Sequence, residues 1–400
     1  MTAVPISTFT FQTNALNQFD ALDAALSKTQ LELSTGKRIQ TAADDPTGMA
    51  QVNQLNVELS ASQQYVTNGN LAGSNLKLEA QALTDATNLL QSTRDLAVEA
   101  NNASLSATQR QDIATQLTQQ LQQLVSIANR TDGNGNYLFA GYASGTQPFS
   151  QSGNSVSYAG AEQTSQIQVS ESLRVSGGDT GSSVFMNTPT GNGTFTTAAG
   201  SGNTGTASIG PGTVTNASQW NATPDTFSIS FTDPTHYTVT DTTTNTPVTT
   251  GTYDSTTGGT IAFNGIQVTL SGAPATGDQF TVAPSTKGSV FSTISGLITT
   301  LSSTSLNSGQ IATQLSQSLE QIDGAMNTIN DVQASVGGRI DAVTAAQTSA
   351  QSRQTNLQTS ISNISDTDYA AATTQLSSEE ITLQAAEESY ASLAKLSLFN

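Results

Sequence analysis

The sequence predicts an α+β protein in which long, antiparallel, coiled-coil-like helical arms from both termini flank a central, mainly β insertion. The ten prolines avoid both arms, since none lies between Pro46 and Pro148 and none follows Pro284. Both regions are therefore compatible with long helices. Apolar residues in these arms recur at spacings of three and four, which indicates helix. In the middle of the chain the spacing changes to simple alternation, which is typical of strands.

The first arm contains three predicted helices. The first helix carries a narrow apolar stripe and ends at Gly36, a residue type that commonly terminates helices. Asp45 and Pro46 fit the N-cap and first position of a second, long helix. Leu76, Leu83 and Leu90 recur at intervals of seven along the second helix. Ser106 and Gln109 form a capping box that predicts the start of a third helix, whose stripe is Ile113, Leu117, Leu121 and Leu124. The first helix carries its stripe on Leu16, Phe19, Leu22, Leu26 and Leu33.

The closing arm mirrors the first. Apolar residues step by threes and fours from Ile311 to Val343, and a terminal helix follows them. The terminal helix carries its stripe on Leu376, Leu383, Tyr390, Leu393 and Leu396. A helix with an apolar seam this narrow loses more conformational entropy than its seam recovers, so it needs a partner to become ordered. We therefore expect the two termini to pair with each other or with neighbouring copies, whereas ordinary bundle packing explains the inner arms equally well.

The central region is predicted to be a β-sheet structure. Residues 227–231, 236–240 and 261–270 alternate apolar and polar side chains, and Asn264-Gly265 supplies turn chemistry between strands. Residues 187–224 are rich in Gly, Thr, Ser and Asn and are predicted as a flexible linker. The domains expected in chain order are a terminal helix at 1–45, a helical rod at 46–145, a β-rich part at 146–284, a second rod at 285–365 and a terminal helix at 366–400.

Composition narrows the classes of partner and of chemistry. The chain has 12 basic and 30 acidic side chains, a formal net charge of -18. Nucleic acid and anionic membrane are therefore poor partners. Cysteine is absent, which excludes disulfides and thiolate metal sites. No stretch approaches the ~20 apolar residues of a spanning helix, and the first residues lack the pattern of a secretory signal, so we expect neither membrane insertion nor Sec export.

Candidate catalytic and metal sites are weak. His236 is the only histidine, which excludes sites that need two or more, and its place in an alternating segment indicates a solvent-facing strand residue. Asp132, Asn134 and Asn136 follow the spacing of the first half of an EF-hand loop. The sixth position of that loop is Tyr137 instead of glycine, which argues against calcium. We expect no catalytic residue, no cofactor and no metal.

Asp44 and Asp45 form an acidic pair that could suggest acid–base chemistry. Helix capping before Pro46 explains them better, because carboxylates satisfy free backbone N–H groups and the positive end of a helix. We therefore expect a structural role for this pair.

Four motifs resemble the bacterial flagellin superfamily. LSTGKRIQTAADDPTGMA at 33–50 resembles its signature, in which a leucine-ended helix, a glycine turn, a basic residue and an Ala-Asp-Asp cap follow one another. GNGNYLFAGY at 133–142, VGGRID at 336–341 and YASLAKLSLFN at 390–400 are most similar to the branch that joins hook to filament. Residues 251–285 resemble a β insertion of hook-associated proteins. The likeness to the superfamily covers both arms.

The resemblance implies a structural subunit of the flagellum whose terminal helices fold into an inner coiled-coil tube on assembly, while the β-rich part faces outward. The two stripes would then pack against each other within and between copies. The turn between tube and rod would be shaped by Gly36, Arg38, Asp44, Asp45 and Pro46.

The resemblance also implies partners and a location. The expected partners are further copies in a ring, an adjacent hook-associated protein, flagellin, and a cytoplasmic export chaperone at the C-terminal helix. The expected location is the extracellular flagellum, reached through the flagellar type III export apparatus.

Three alternatives stay open from the sequence. The nearest is flagellin itself, the filament subunit, which shares the arms. A surface adhesin with a helical stalk would require an anchor or a Sec signal. An enzyme displayed on a filament would be restricted to carboxylate chemistry, because the chain has one histidine and no cysteine.

Overall fold

Helices dominate both ends of the chain. The computed structural model describes residues 8–222 and 224–397. Its α-helices are α1 (Thr8–Thr35), α2 (Pro46–Ala100), α3 (Ala107–Ala128), α4 (Ala217–Ala222), α5 (Val290–Ser302), α6 (Ser308–Ser365) and α7 (Tyr369–Ser397). The predicted α+β class, with helical arms around a β-rich middle, is confirmed.

The strands lie between α3 and α5. They are β1 (Phe149–Ser152), β2 (Ser155–Tyr158), β3 (Gln166–Gln168), β4 (Arg174–Ser176), β5 (Thr188–Pro189), β6 (Phe195–Ala199), β7 (Ser208–Ile209), β8 (Thr213–Val214), β9 (Phe227–Asp233), β10 (His236–Asp241), β11 (Thr246–Thr252), β12 (Gly259–Phe263), β13 (Ile266–Ser271), β14 (Gln279–Pro284) and β15 (Lys287–Gly288). All strand pairs are antiparallel. Antiparallel pairing is the arrangement that short connecting turns permit.

The chain forms two compact units. The terminal unit comprises the described residues up to Thr67 and from Gln347 onward, and the central unit comprises those of Asn68–Ala346. Helices α2 and α6 contribute to both units. The expected domain borders at 45/46 and 365/366 concern the assembled protein and stay a prediction.

The terminal unit is built only from helices and buries few large apolar side chains. Its buried apolar residues are Ile39, Val52, Ala350, Leu357 and Ala372. Ser62 on α2 donates a hydrogen bond to the Ala350 carbonyl of α6 at 2.9 Å. Because small residues, Ser62 and Ala350, meet at this contact, it excludes little apolar surface from water.

The central unit has a helical core in which the predicted stripes are buried. Leu76, Leu83 and Leu90 of α2 follow one another at intervals of seven and are fully buried. The stripe of α3 is buried as well, and the capping box of Ser106 and Gln109 is present at its start. The core ends in a cluster of aromatic rings formed by Phe149, Phe185 and Phe291 together with Phe139 and Tyr158. Strict helical periodicity therefore produces a continuous seam here.

A second core lies between two sheets in the β-rich part of the central unit. One sheet has the strand order β11-β10-β9-β14-β6, and the other has β12-β13-β7 with β8 also paired to β13. Phe227, Ile229 and Phe231 alternate along β9 and are buried in this core. Asn264 and Gly265 both have positive φ, 45° and 77°, which is the backbone of a tight hairpin turn between β12 and β13.

Residues 187–224 differ from the predicted linker. Four strands, β5 to β8, and helix α4 lie in this segment. Phe195, Ile209 and Trp220 bury their side chains in the core between the two sheets. These anchors are separated by irregular intervals of small and polar residues, so composition alone suggested a linker where the segment completes a sheet pair.

Strand β11 forms one edge of the larger sheet and pairs only with β10 among the described strands. The register between the two strands shifts at Val239 and Thr240, and Pro247 lies within β11 opposite Thr240. Proline has no backbone N–H to donate, and it is found in sheets mainly at edges and bulges. Sequence and geometry therefore agree that β11 is an edge strand.

Candidate assembly interface

Helices α1 and α7 pack against each other in the terminal unit, which joins the two predicted stripes. The ring of Phe19 on α1 meets the ring of Tyr390 on α7 edge to face, with centroids 5.7 Å apart and planes at 88°. Edge-to-face contacts of this kind are favourable because the positive ring edge meets the negative ring face. Both rings belong to the stripes that the sequence singled out.

The stripes are only partly covered within one chain. Leu16 is 58% exposed. The half-buried stripe residues are Phe19, Leu22, Leu26, Leu33, Leu376, Leu383 and Tyr390. The side chains of Leu393 and Leu396 lie outside the described residues. Thr29 is buried on α1, and its hydroxyl donates to the Ala25 carbonyl at 3.2 Å. As a polar residue it lies outside the apolar pattern from which the stripe is predicted.

Two further apolar side chains point away from the α1–α7 contact. Leu31 on α1 is 51% exposed and Ile381 on α7 is 67% exposed. Each precedes a stripe residue, Leu33 or Leu383, by two positions. Two positions correspond to about 200° around an α-helix, so Leu31 and Ile381 lie on the outer faces of the pair. Neither residue is predictable from the sequence, because a single apolar residue opposite a stripe makes no periodic signal.

A groove runs beside the paired aromatic rings. Its volume is about 260 Å³. It is lined by Asn14, Ala15, Gln18, Phe19, Ala386, Ser389 and Tyr390. Small residues such as Ala15 and Ala386 leave space next to the large rings, so the surface of the pair has a recess flanked by apolar atoms.

The turn after α1 depends on Gly36. Its φ of +68° is in the left-handed region, and its N–H donates to the Glu32 carbonyl at 2.8 Å. A Cβ at this position would lie 2.9 Å from the hydroxyl oxygen of Tyr369, the first residue of α7. The backbone conformation therefore favours glycine here, whereas the exposed Tyr369 side chain could shift to admit a Cβ.

A short antiparallel ladder then ties the start of the chain to its end. Thr367 N–H donates to the Gly36 carbonyl at 3.0 Å, and Arg38 N–H donates to the Ser365 carbonyl at 2.7 Å. Between these bonds, the Lys37 ammonium forms an ion pair with Asp366 that holds the pKa of that carboxyl below its usual range. This ion pair is not predictable from the sequence, because its two residues are 329 positions apart.

Arg38 joins three parts of the turn. Its guanidinium donates to the Ile364 carbonyl at 2.8 Å and lies 3.7 Å from the Asp45 carboxylate. Asp45 also occupies the N-cap of α2, where its carboxylate accepts the Gly48 N–H at 2.8 Å. Arg38 and Asp45 are both partly exposed, so their ion pair contributes little stability, and the backbone contacts matter more.

Asp44 does not cap α2 as expected. Its carboxylate accepts hydrogen bonds from the Thr41 N–H at 2.9 Å, the Thr41 hydroxyl at 3.0 Å and the Gln40 N–H at 3.2 Å. These bonds, led by that of the Thr41 backbone and helped by Lys28, lower the pKa of Asp44 to about 2. The difference arises because the chain turns sharply at Thr41, which brings two loop amides closer to Asp44 than the amides of the helix.

Close packing around Gly48 explains why glycine occupies this position of the segment 33–50. A Cβ there would lie 2.5 Å from the Asp45 carboxylate and 2.6 Å from Cδ1 of the buried Ile39. The glycine lets the turn fold over the first turn of α2, so the segment from Gly36 to Gly48 is a packed corner instead of a loose connection.

Candidate chemistry elsewhere has structural explanations. Asp132 accepts the backbone N–H groups of Asn134 and Asn136 at 2.8 and 2.9 Å, so it closes its own loop. His236 is exposed on β10 and lies 2.9 Å from the Asp233 carboxylate. In the described part of the chain, no group of three or more potential ligands is arranged to hold a metal. No helix of residues 8–222 or 224–397 is long and apolar enough to cross a membrane.

Family models match three parts of the chain. The bacterial flagellin N-terminal helical region matches residues 6–144, and the bacterial flagellin C-terminal helical region matches residues 319–400. A D2-like domain of flagellar hook-associated protein 1 matches residues 198–284. These matches confirm the predicted resemblance to the flagellin superfamily.

The crystal structure of FlgL from Xanthomonas campestris is similar over most of the chain. The TM-score is 0.71 at 35% identity, covering 76% of this chain and 98% of that one. The chain belongs to the FlgL family. Another member, described as the flagellar junction protein FlgL from Legionella pneumophila, is 31% identical with a TM-score of 0.67, covering 74% of this chain and 99% of that one.

Curated relatives of the FlgL family match a part of this chain. Flagellar hook-associated protein 3 of Escherichia coli is 34% identical over 154 residues, which is 38% of this chain and 48% of the relative. The chain thus spans about half the length of the curated relatives it matches. These FlgL-family relatives are flagellar proteins, which agrees with the predicted class of structural subunit.

Proposed function

We propose that this protein joins the hook of the bacterial flagellum to its filament. Membership of the FlgL family supports the proposal, because one solved member is described as a flagellar junction protein. The β-rich part adds support, since it resembles a domain of another hook-associated protein. No catalytic step belongs to this function, which requires only that copies bind one another and their neighbours.

The observation that carries the proposed mechanism is the incomplete burial of the α1–α7 contact. Leu16, Leu31 and Ile381 are each more than half exposed, although they are among the large apolar side chains of their helices. Covering one such side chain fully contributes about 1.5–3 kcal/mol. Association itself costs about 4–15 kcal/mol, so one such contact is too weak and several neighbours must cover each copy.

Assembly would therefore complete a structure that one chain only begins. The Phe19–Tyr390 contact holds α1 beside α7, and neighbouring copies cover the outer faces and the groove. In this arrangement the two stripes line an inner tube. The corner formed by Gly36, Arg38, Asp44, Asp45 and Pro46 directs α2 away from that tube, and the β-rich part faces outward.

The partners follow from this arrangement. Copies of the chain form a ring, with a hook-associated protein on one side and flagellin on the other. A cytoplasmic chaperone covers the apolar side chains of α7 before export, and the flagellar type III apparatus delivers the chain to the extracellular flagellum.

A deletion strain tests the junction function. We expect it to build hooks and to secrete flagellin monomers, but to form no filament, when examined by electron microscopy and by immunoblotting of the medium. The alternative function, the filament subunit itself, shares both terminal helical regions. That alternative predicts a strain without flagellin in the medium and without filaments, and complementation by a separate flagellin would restore them.

Truncation tests the assembly mechanism separately. Variants lacking residues 1–30 or 376–400 should leave the central unit folded, as judged by circular dichroism, because the buried core clusters lie in that unit. Secretion and incorporation are measured separately. We expect incorporation to be lost in both variants. Normal filaments built with either truncated chain would refute the proposed role of the terminal helices.

A further inference from the structure

Glu79 is a buried acid in the central unit that the proposed assembly does not use. It lies on α2 and is 1% exposed. Its Oε1 accepts the Asp179 N–H at 2.9 Å. Its Oε2 is buried and has no hydrogen-bond partner among the described residues. Burying a carboxylate that has one oxygen without a hydrogen bond costs much free energy, whereas burying the neutral carboxylic acid costs much less.

The backbone facing Glu79 is the segment Gly177–Asp179, which follows β4. A Cβ on Gly178 would lie 3.4 Å from Glu79 Oε2 and 3.5 Å from the Leu138 carbonyl oxygen. The glycine backbone therefore lies directly against the acid. Gly177 and Gly178 also line a cavity of about 340 Å³ together with Leu71, Tyr142 and Ile167.

Helix α6 closes the cluster from the other side. Arg339 forms an ion pair with the Asp179 carboxylate and donates to the Gly178 carbonyl at 3.4 Å. The charged groups that act on Glu79 are thus Asp179 and Arg339. Arg339 is already paired with Asp179, so it offsets the effect of burial on Glu79 only in part. Burial, reinforced by the Asp179 charge and opposed by Arg339, raises the pKa of Glu79 to about 8.

We propose that Glu79 is a proton-dependent latch that holds the segment Gly177–Asp179 between α2 and α6. With the proton on, the neutral acid stays buried and Oε1 keeps the Asp179 N–H. With the proton off, a second negative charge lies beside Asp179 at a buried position, and the closed position loses stability. Movement of the segment hydrates the carboxylate and widens the neighbouring cavity.

The pH range follows from the sign of the shift. The closed latch binds its proton up to about pH 8, whereas the open latch releases it near the ordinary pKa of glutamic acid. The ratio of open to closed latch therefore rises roughly tenfold for each pH unit between those two values. Above the higher value the ratio is constant. The latch is tightest in acid and loosens as the pH rises through neutrality.

Amide hydrogen exchange on the full-length protein tests the latch. Wild type and Glu79→Gln, in which the side chain is a neutral isostere, are compared at the same pH, so that intrinsic exchange rates cancel. We expect the exchange rate of the Asp179 amide, wild type over variant, to rise roughly tenfold per pH unit between pH 5 and pH 7. The ratio should level off near the folded pKa. Glu99→Gln, the same change at an exposed position of α2, should follow wild type throughout.

Two results would overturn the latch. A wild-type to variant ratio that stays constant from pH 5 to pH 9 would show that no proton controls the segment. Fast exchange of the Asp179 amide in Glu79→Gln at every pH would show that the charged form is the one that holds it. Asp179→Asn gives a second measurement, because it keeps the backbone donor and removes the adjacent charge. Its exchange profile, relative to unstructured reference peptides, should level off at a lower pH than that of wild type.

Discussion

Phe19 and Tyr390 lie near opposite ends of the chain, yet their rings touch edge to face at 5.7 Å between centroids. This contact joins the two stripes within one molecule. A pair of this geometry adds about 0.5–1.5 kcal/mol beyond the apolar area it buries. The terminal unit has few other large buried side chains, so the loss of one ring removes a substantial part of the α1–α7 contact.

We expect Phe19→Ala and Tyr390→Ala each to lower the helix content of the isolated chain, measured by circular dichroism, and to abolish incorporation into flagella. The thermal transition of the central unit should be unchanged. Tyr142→Ala is a matched control, because Tyr142 is an aromatic residue that is 61% exposed in the central unit. Full incorporation of both ring variants would contradict the assigned role of this contact.

Substitutions at Leu31 and Ile381 distinguish contacts within a chain from the proposed contacts between chains. Both face away from the α1–α7 contact, so Leu31→Ser and Ile381→Ser should change the stability of the isolated chain by no more than about 0.5 kcal/mol. Self-association, measured by analytical ultracentrifugation, should weaken clearly. Val248→Ser alters a partly exposed apolar residue on β11 and serves as the control. Unchanged association in both helix variants would remove the outer faces from the interface.

Two substitutions of Gly36, by alanine and by asparagine, are expected to differ in their effect on stability. Gly36→Ala should destabilise the terminal unit by about 1–2 kcal/mol, because alanine is disfavoured at φ +68°. Gly36→Asn should cost less, since asparagine tolerates the left-handed region better.

Gly337→Ala is the matched control for Gly36→Ala. Gly337 lies within α6 with nothing within 4 Å of its Cβ position, so alanine there should stabilise the helix by up to about 1 kcal/mol. Denaturant titration of both variants gives the comparison. Equal effects at the two positions would show that the turn imposes no special conformation.

The hydrogen bonds to the Asp44 carboxylate predict that the corner between α1 and α2 loses stability in acid. Its folded pKa of about 2 lies below the ordinary value, so the carboxylate contributes stability above the ordinary value, and that contribution is lost as the pH falls towards 2. A carboxyl titration by NMR should give a midpoint near 2. The stability difference between wild type and Asp44→Asn should shrink between about pH 4 and pH 2. A midpoint at the ordinary aspartate value would mean that the loop amides do not hold the carboxylate.

Periodicity was sufficient to predict the elements whose side chains repeat. The stripe of α3, the leucines of α2 and the alternation of β9 each follow one period, and each lies in a core. The capping box at Ser106 was predictable because all its atoms belong to four consecutive residues. Local rules of this kind need no knowledge of the rest of the fold.

Interactions between distant segments could not be predicted in the same way. Lys37 and Asp366 form their ion pair only because two chain ends meet, and neither residue has a local signal for it. Asp44 was expected to cap a helix, but the turn at Thr41 offered it nearer amides. Trp220 and Phe195 are buried anchors in a segment whose composition indicated a linker, because a few apolar residues suffice when a sheet is already present.

The geometry of the β11 edge protects the chain against aggregation through its sheet. Unpaired strand edges invite other extended chains to add to them, and the risk grows when many copies are held side by side. Pro247 and the register shift at Val239–Thr240 interrupt the row of groups that an incoming strand would need. In the proposed assembly, this interruption keeps neighbouring copies from joining their sheets edge to edge into an amyloid-like aggregate.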